Sequence, residues 1–311
     1  MRVGMLAIVV AAFAIAAPAR ADFDGGLAAY RRGDYAAAAS SLASPAAQGD
    51  PRAQYLLGAL YGKGQGVDRD LGLAAAWTTK AAESRFPPAE LELGNLYFMG
   101  VGVPKDYARA AIWYNRAGEH NLPIAWCNLG LLYASGRGVP QDRQQALNYV
   151  GKAATAGVVQ AQLALAFLYD LGGTLSPELM DELMFPASAA KPKPGSGTAA
   201  SLAASLSTAS EEDRAEATKW FREAANRGVP LAQAMLAVRY RSGLGTKRDL
   251  VQAYKWSALA SAAGTREAER DLRDLEKQMS DAQLAEARKL VEDWKRDHPP
   301  TASPDAPRAV R

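Results

Sequence analysis

Apolar positions recur along this chain at two periods, one of three to four residues within helices and one of 36 residues between them. In the block from Ala89 to Ile124, Ala89, Leu93, Gly94, Leu96 and Tyr97 share one face of a first helix. Gly100 and Gly102 interrupt it and supply the positive backbone angles that stop a helix and turn the chain tightly. Val103 follows as an apolar plug, expected to be buried in the turn. Asp106 then stands where an N-cap belongs, its carboxylate placed to accept backbone N–H groups of the next turn. A second helix through Ala110, Trp113, Tyr114 and Ala117 ends near Asn121. Gly157, Gly228 and Gly264 fill the matching position elsewhere, as left-handed helix caps.

The same pattern opens at Ala53, Ala89, Ala125 and Ala161, each 36 residues apart, and again at Ala232, one period and an inserted 35 residues later. Three columns run through the blocks. Tyr61, Tyr97, Tyr133, Tyr169 and Tyr240 form one, and Asp70, Asp106, Asp142, Asp213 and Asp249 form another. The third is Trp77, Trp113, Tyr149, Trp220 and Trp256. Self-similarity at this period means stacked supersecondary units, none of which can bury its apolar face alone. The aromatics therefore read as core between helix pairs, and the aspartates as one cap per repeat. Gly58, Gly94, Gly130, Ala166 and Ala237 share a mid-helix position where glycine costs ~1 kcal/mol relative to alanine. Close approach of two helix backbones explains that choice, with Ala74, Ala110, Ala146, Ala217 and Ala253 as the facing surface.

In the first block the set reads Ala53, Leu57, Gly58, Tyr61, Gly64, Gly66, Val67, Asp70, Ala74, Trp77 and Ala81. This pattern resembles the Sel-one-like repeat, a relative of the tetratricopeptide repeat, and five copies span residues 53 to 267. The second and third copies match as well, while the fifth has Thr246 in place of the valine. The resemblance implies an all-α fold, a right-handed α-solenoid of antiparallel helix pairs. It also implies an interaction scaffold or adaptor, of a family with many exported bacterial members.

Residues 22–52 keep the register in degraded form, through Asp34, Ala38 and Gly49, and are expected to cap one end with helices near 23–32 and 35–44. At the other end, residues 268–297 are expected to form capping helices, one through Leu272 and Leu275. The second opens with a capping box at Ser280 and Gln283. Residues 298–311 read as a disordered, Pro-rich tail. The insertion falls inside the fourth repeat, at about 174–210, and its stretch 186–210 is Ala, Ser, Gly, Pro and Lys-rich and expected to be flexible. Before that stretch, Ser176-Pro177-Glu178 reads as a helix start, followed by the apolar cluster Leu179, Met180, Leu183, Met184 and Phe185. Either the cluster packs back on the solenoid or it is a short helix presented to a partner.

Residues 1–21 read as a secretory signal: Arg2, an apolar run from Met5 to Ala17, and an A-x-A ending cleaved after Ala21. The run is shorter than the ~20 residues that span a bilayer. A periplasmic or secreted protein without stable membrane insertion is the expectation. Losing Arg2 and Arg20 lowers the formal charge from +3 to +1, too little surplus to attract nucleic acid. Cys127 is the single cysteine, so no intramolecular disulfide forms. The two histidines, His120 and His298, sit in no metal-ligand spacing, and neither a G-x-S-x-G elbow nor a penicillin-binding S-x-x-K motif occurs. No catalytic, cofactor or metal residue is expected. Some cysteine-rich relatives have been associated with penicillin binding, but the paired cysteines that carry that link are missing here.

In stacked helix pairs the first helices line the concave side, with their variable positions expected to face outward. Those positions are Gln54, Glu90, Trp126, Gln162 and Gln233, beside Tyr55, Leu91, Cys127, Leu163 and Ala234. Trp126 departs from the pattern: it is either buried between repeats or, with Tyr55 and Leu91, an anchor for a partner. The expected function is a non-enzymatic scaffold that binds a peptide or protein domain in the envelope. From family analogy, one version regulates a membrane sensor or serves secretion or polysaccharide machinery. The alternative is a purely structural organiser.

Overall fold

The computed structural model describes residues 19–184 and 209–299, and every regular element among them is a helix. They are α1 (Ala19–Arg32), α2 (Tyr35–Ala47), α3 (Pro51–Lys63), α4 (Leu71–Glu83) and α5 (Pro87–Met99). Next come α6 (Tyr107–Glu119), α7 (Pro123–Ser135), α8 (Arg143–Thr155), α9 (Val159–Asp170) and α10 (Pro177–Met184). The last five are α11 (Glu211–Asn226), α12 (Pro230–Ser242), α13 (Leu250–Ala262), α14 (Arg266–Glu276) and α15 (Asp281–Asp297). The fold is an α-solenoid of antiparallel helix pairs, as the repeat predicts. Its contacts divide into two compact units between Asp106 and Tyr107. Residues 1–18 of the expected signal segment 1–21, the stretch 185–208 with Phe185, and the tail from 300 lie outside the described residues. Cleavage after Ala21 would fall within the first turn of α1.

Each repeat builds itself by the same local chemistry. Proline at the first helical position opens α3, α5, α7 and α12, where a missing N–H costs nothing. Those helices end on left-handed glycines, Gly64, Gly100, Gly136 and Gly243. The tyrosine and aspartate columns meet across the turn. Asp70, Asp106, Asp142 and Asp249 each donate a backbone N–H to the carbonyl of Tyr61, Tyr97, Tyr133 and Tyr240, at 2.8–3.0 Å. Asp70, Asp142 and Asp249 then cap the following helix through Leu73, Gln145 and Gln252 N–H at 2.9–3.0 Å. The fourth repeat breaks this rule. Ser210 caps α11 there, and Asp213 lies inside its first turn, paired with Arg143 at 2.8 Å. The insertion separates Asp213 from its tyrosine, and Ser210 supplies the cap oxygen instead.

The second glycine of each turn has a packing reason. A Cβ on Gly66 would lie 2.2 Å from the Tyr35 backbone, and one on Gly102 2.0 Å from the Leu71 carbonyl oxygen. In the second unit Gly138 meets the Tyr107 backbone at 2.3 Å and Gly245 the Arg214 carbonyl at 2.2 Å. The turn of one repeat thus rests directly on the start of the preceding repeat's second helix. The mid-helix glycines do pack closely, with a Gly58 Cβ placed 3.1 Å from the Ala74 carbonyl and a Gly130 Cβ 3.0 Å from that of Ala146. Val67 and Val103 are half-buried rather than fully enclosed, because the turn stays at the surface. Among the aromatic columns only Trp256 is fully buried; the others are half-buried core-edge residues, several under a cation such as Lys80 over Trp77.

At the ends, α1 and α2 enclose Phe23, Ala38 and Leu42 against α3. Ser280 opens α15 with its capping box, and Leu275, Met279 and Ala287 bury against α13.

Candidate interaction surface

The column expected to face outward does the opposite. Gln54, Glu90, Gln162 and Gln233 are all 5% exposed or less. The glutamines reach back eight residues: Gln54 Nε2 donates to the Ala46 carbonyl at 3.0 Å, Gln233 to Ala225 at 3.3 Å, and Gln162 to Ala154 at 3.5 Å. Each thereby adds a second hydrogen bond to a helix-end carbonyl that already accepts a backbone N–H from the following turn, from Gly49, Gly228 and Gly157 respectively. A buried glutamine with a recurring partner is part of the repeat, and no partner surface forms there.

Trp126 replaces the glutamine of this column in the third repeat. Its ring lies where a Cβ on Gly118 would be, 2.5 Å from the nearest ring carbon. In the sister repeats that position is Ala46, Ala82, Ala154, Ala225 and Ser261, so the glycine makes room for the indole. Trp126 also stacks on Tyr149 with centroids 5.2 Å apart, and Tyr149 on Tyr133 at 5.7 Å, with Lys152 5.5 Å from both the indole and Tyr149. Trp126 is thus half-buried and held inside the second unit. In the first unit Tyr55 and Leu91 are half-buried on α3 and α5. Tyr55 packs edge-on to Phe86 at 5.6 Å, and burial raises its phenol pKa. A cleft of about 410 Å³ in that unit, lined by Ala39, Ala43, Leu57, Tyr61, Val67 and Trp77, is largely apolar.

The apolar cluster of the insertion forms α10, with Leu179, Met180, Leu183 and Met184 all buried. This helix lies on α7 and α9, the first helices of the third and fourth repeats. The Leu175 N–H points at the Ala134 carbonyl at 3.4 Å, Ser135 Oγ donates to Met180 Sδ at 2.9 Å, and Gln160 donates to the Leu183 carbonyl. Arg137 and Asp181 close the contact with a 2.7 Å ion pair. The packed-back alternative is therefore the one present, and these side chains are not offered to solvent. Leu131 and Cys127 precede Ser135 by four and eight residues on the same face of α7 and are fully buried, whereas Tyr55, Leu91, Ala59 and Asn95 in the first two repeats are half-buried. Burial pushes the Cys127 thiol pKa up to about 12.

One ion pair escaped the sequence reading. Asp170 at the end of α9 and Arg239 of α12 contact each other with both side chains fully buried. Arg239 also donates to Thr218 Oγ1 at 2.8 Å and the Arg214 carbonyl at 3.1 Å, tying α11 into the cluster. Burial raises the Asp170 pKa against the opposing pull of Arg239. The signal was present, since Arg239 sits in the column of Leu60, Leu96, Leu132 and Leu168.

The Sel1 repeat model matches residues 51–85, 87–122, 123–158, 207–229 and 230–265. The chain belongs to the Sel1 repeat family. Among solved structures it is similar to a Sel1 repeat protein from Oxalobacter formigenes, at 26% identity and a TM-score of 0.65, covering 88% of this chain and 99% of that one. It also matches c5321, described as a protective antigen of uropathogenic Escherichia coli with an SLR fold. There the identity is 23% and the TM-score 0.48, over 94% of this chain and 89% of that one. No curated protein matches. This Sel1 repeat chain shows, among its described residues, no helix long and apolar enough to cross a membrane. The described residues also contain no cluster of three or more His, Cys, Asp or Glu that could hold a metal ion.

Proposed function

We propose that this Sel1 repeat protein is a non-catalytic binding scaffold, exported to the bacterial envelope by cleavage after Ala21, that takes a peptide or protein domain on the faces of its first helices. The observation that carries this reading is α10: the first-helix face of α7 and α9 accepts a helix laid across it, through apolar side chains and an ion pair. A surface that receives one amphipathic helix has the shape and chemistry to receive another. In the first unit, the half-buried Tyr55 and Leu91 occupy the equivalent first-helix positions. A scaffold that regulates a membrane sensor releases its partner; one that organises secretion or polysaccharide machinery co-purifies with it as a stable complex.

Photocrosslinking tests this. With a crosslinking residue at Leu91, one envelope protein should be captured, and the same residue at the exposed second-helix position Ile112 should not capture it. Equal capture from both positions, or from neither, contradicts the first-helix assignment. N-terminal sequencing of the exported protein should read from Asp22; an intact Met1 would overturn the export proposal.

A further inference from the structure

We infer that the face of α7 and α9 is a groove for an amphipathic helix of a partner protein that carries a carboxylate beside its apolar ridges, and that α10 is a built-in occupant which such a helix displaces. This deepens, and rests on, the scaffold reading above. The chemistry of the ligand is read from α10 itself. Leu179 with Leu183 and Met180 with Met184 form two pairs at helical i, i+4 spacing, all four buried on the groove. Glu178 and Glu182 face solvent, and Asp181 meets Arg137. The complement is therefore two adjacent apolar ridges and one carboxylate placed beside the first of them. Two of the four anchors are methionines, whose unbranched side chains adapt to irregular surfaces and tolerate replacement of the partner.

The same features make α10 a weak holder of its site. It has eight residues, and a helix this short is marginal on its own. Its ion pair is open to water, with Asp181 54% exposed, so it adds little. What keeps it in place is tethering, since a segment joined to its site competes at a high effective concentration. A partner helix carrying the same ridges over more turns makes the same contacts with less ordering cost per contact. Cys127, the only cysteine in the chain, lies buried on α7 on the same helix face as Ser135, which contacts Met180, and serves as the reporter of an opening of that face.

The test uses the full chain with Met180→Glu and Leu183→Glu, which expel α10, and a synthetic peptide of residues 174–186 as the probe. Maleimide should label Cys127 at least about tenfold faster in the variant than in the wild type, a local opening within an intact fold. The peptide should bind the variant by calorimetry and restore protection, and a scrambled peptide should do neither. A milder pair covers the case in which the double variant unfolds. Asp181→Arg, which sets two guanidinium groups against each other, should speed labelling by a smaller factor, and Arg137→Asp added to it should slow labelling again. A folded variant whose Cys127 stays protected, or a peptide that neither binds nor protects, overturns the inference. If that happens while Leu91 still captures its envelope protein, the scaffold reading survives and only the displaceable occupant is wrong. If capture also fails, the reading beneath it is wrong.

Discussion

The first unit carries no insertion; the second is interrupted by one and departs from the repeat at several columns, where the departures come in matched sets. In the first unit Gln54 reaches the Ala46 carbonyl and Leu60 fills its apolar column. In the second, Trp126 replaces the glutamine and Gly118 replaces the alanine beneath it. Arg239 replaces the leucine, and Asp170 meets it from a position that is Gly62, Phe98, Ala134 and Arg241 elsewhere. The insertion brings an apolar ridge, and Cys127 and Leu131 are fully buried on the helix it covers. A repeat constrains each column through its neighbours, so one residue departs safely only if a contacting residue departs with it.

Breaking these sets one member at a time measures that coupling. The largest effect belongs to Arg239→Leu, which restores the column's usual residue but strands the buried Asp170. It should lower stability to urea by about 3–5 kcal/mol, the usual penalty for removing one partner of a buried pair. The deficit should also depend on pH. Without the guanidinium, burial raises the Asp170 pKa further, so its neutral form is favoured in the folded state. Stability from such a raised carboxyl is fully present below the unfolded value of about 3.9 and is lost as pH rises through the folded value. The variant's deficit should therefore be smaller at pH 4 than at pH 7, and an equal deficit would show Asp170 uncoupled.

Gly118→Ala comes next, because its new methyl would overlap the indole of Trp126. Overpacking of this kind costs about 1–3 kcal/mol. Adding Trp126→Gln should return most of it, measured by the same urea midpoint, since a glutamine there can reach the residue-118 carbonyl as its sisters do. The smallest change is the reference from the uninterrupted unit. Gln54→Ala should cost at most about 1 kcal/mol, by removing one buried hydrogen bond to the Ala46 carbonyl, which keeps the one from the Gly49 N–H.

The fold was legible because the repeat is written in residues with single local jobs: proline openings, paired glycines, aspartate caps. The tyrosine–aspartate backbone link was not, since it runs through main-chain atoms that the side chains do not announce. The face of the buried column was misread for a different reason. A glutamine is polar and suggests water, yet here it answers a helix-end carbonyl eight residues back. Asp213 misled because it keeps its column while the insertion moves the cap to Ser210. The path of α10 was left open because an apolar ridge carries no record of which surface it meets. Arg239 and Gly118 were readable as breaks in their columns, but their partners became visible only in three dimensions.

The claim that departures are coupled is tested most directly by a double-mutant cycle on Asp170 and Arg239. Asp170→Ala with Arg239→Leu restores two residues that the repeat itself uses. The double variant should unfold within about 1 kcal/mol of the wild-type chain, although Arg239→Leu alone loses several times that. If the double variant instead shows the sum of its two single losses, the pair is not coupled and the account of matched departures is wrong.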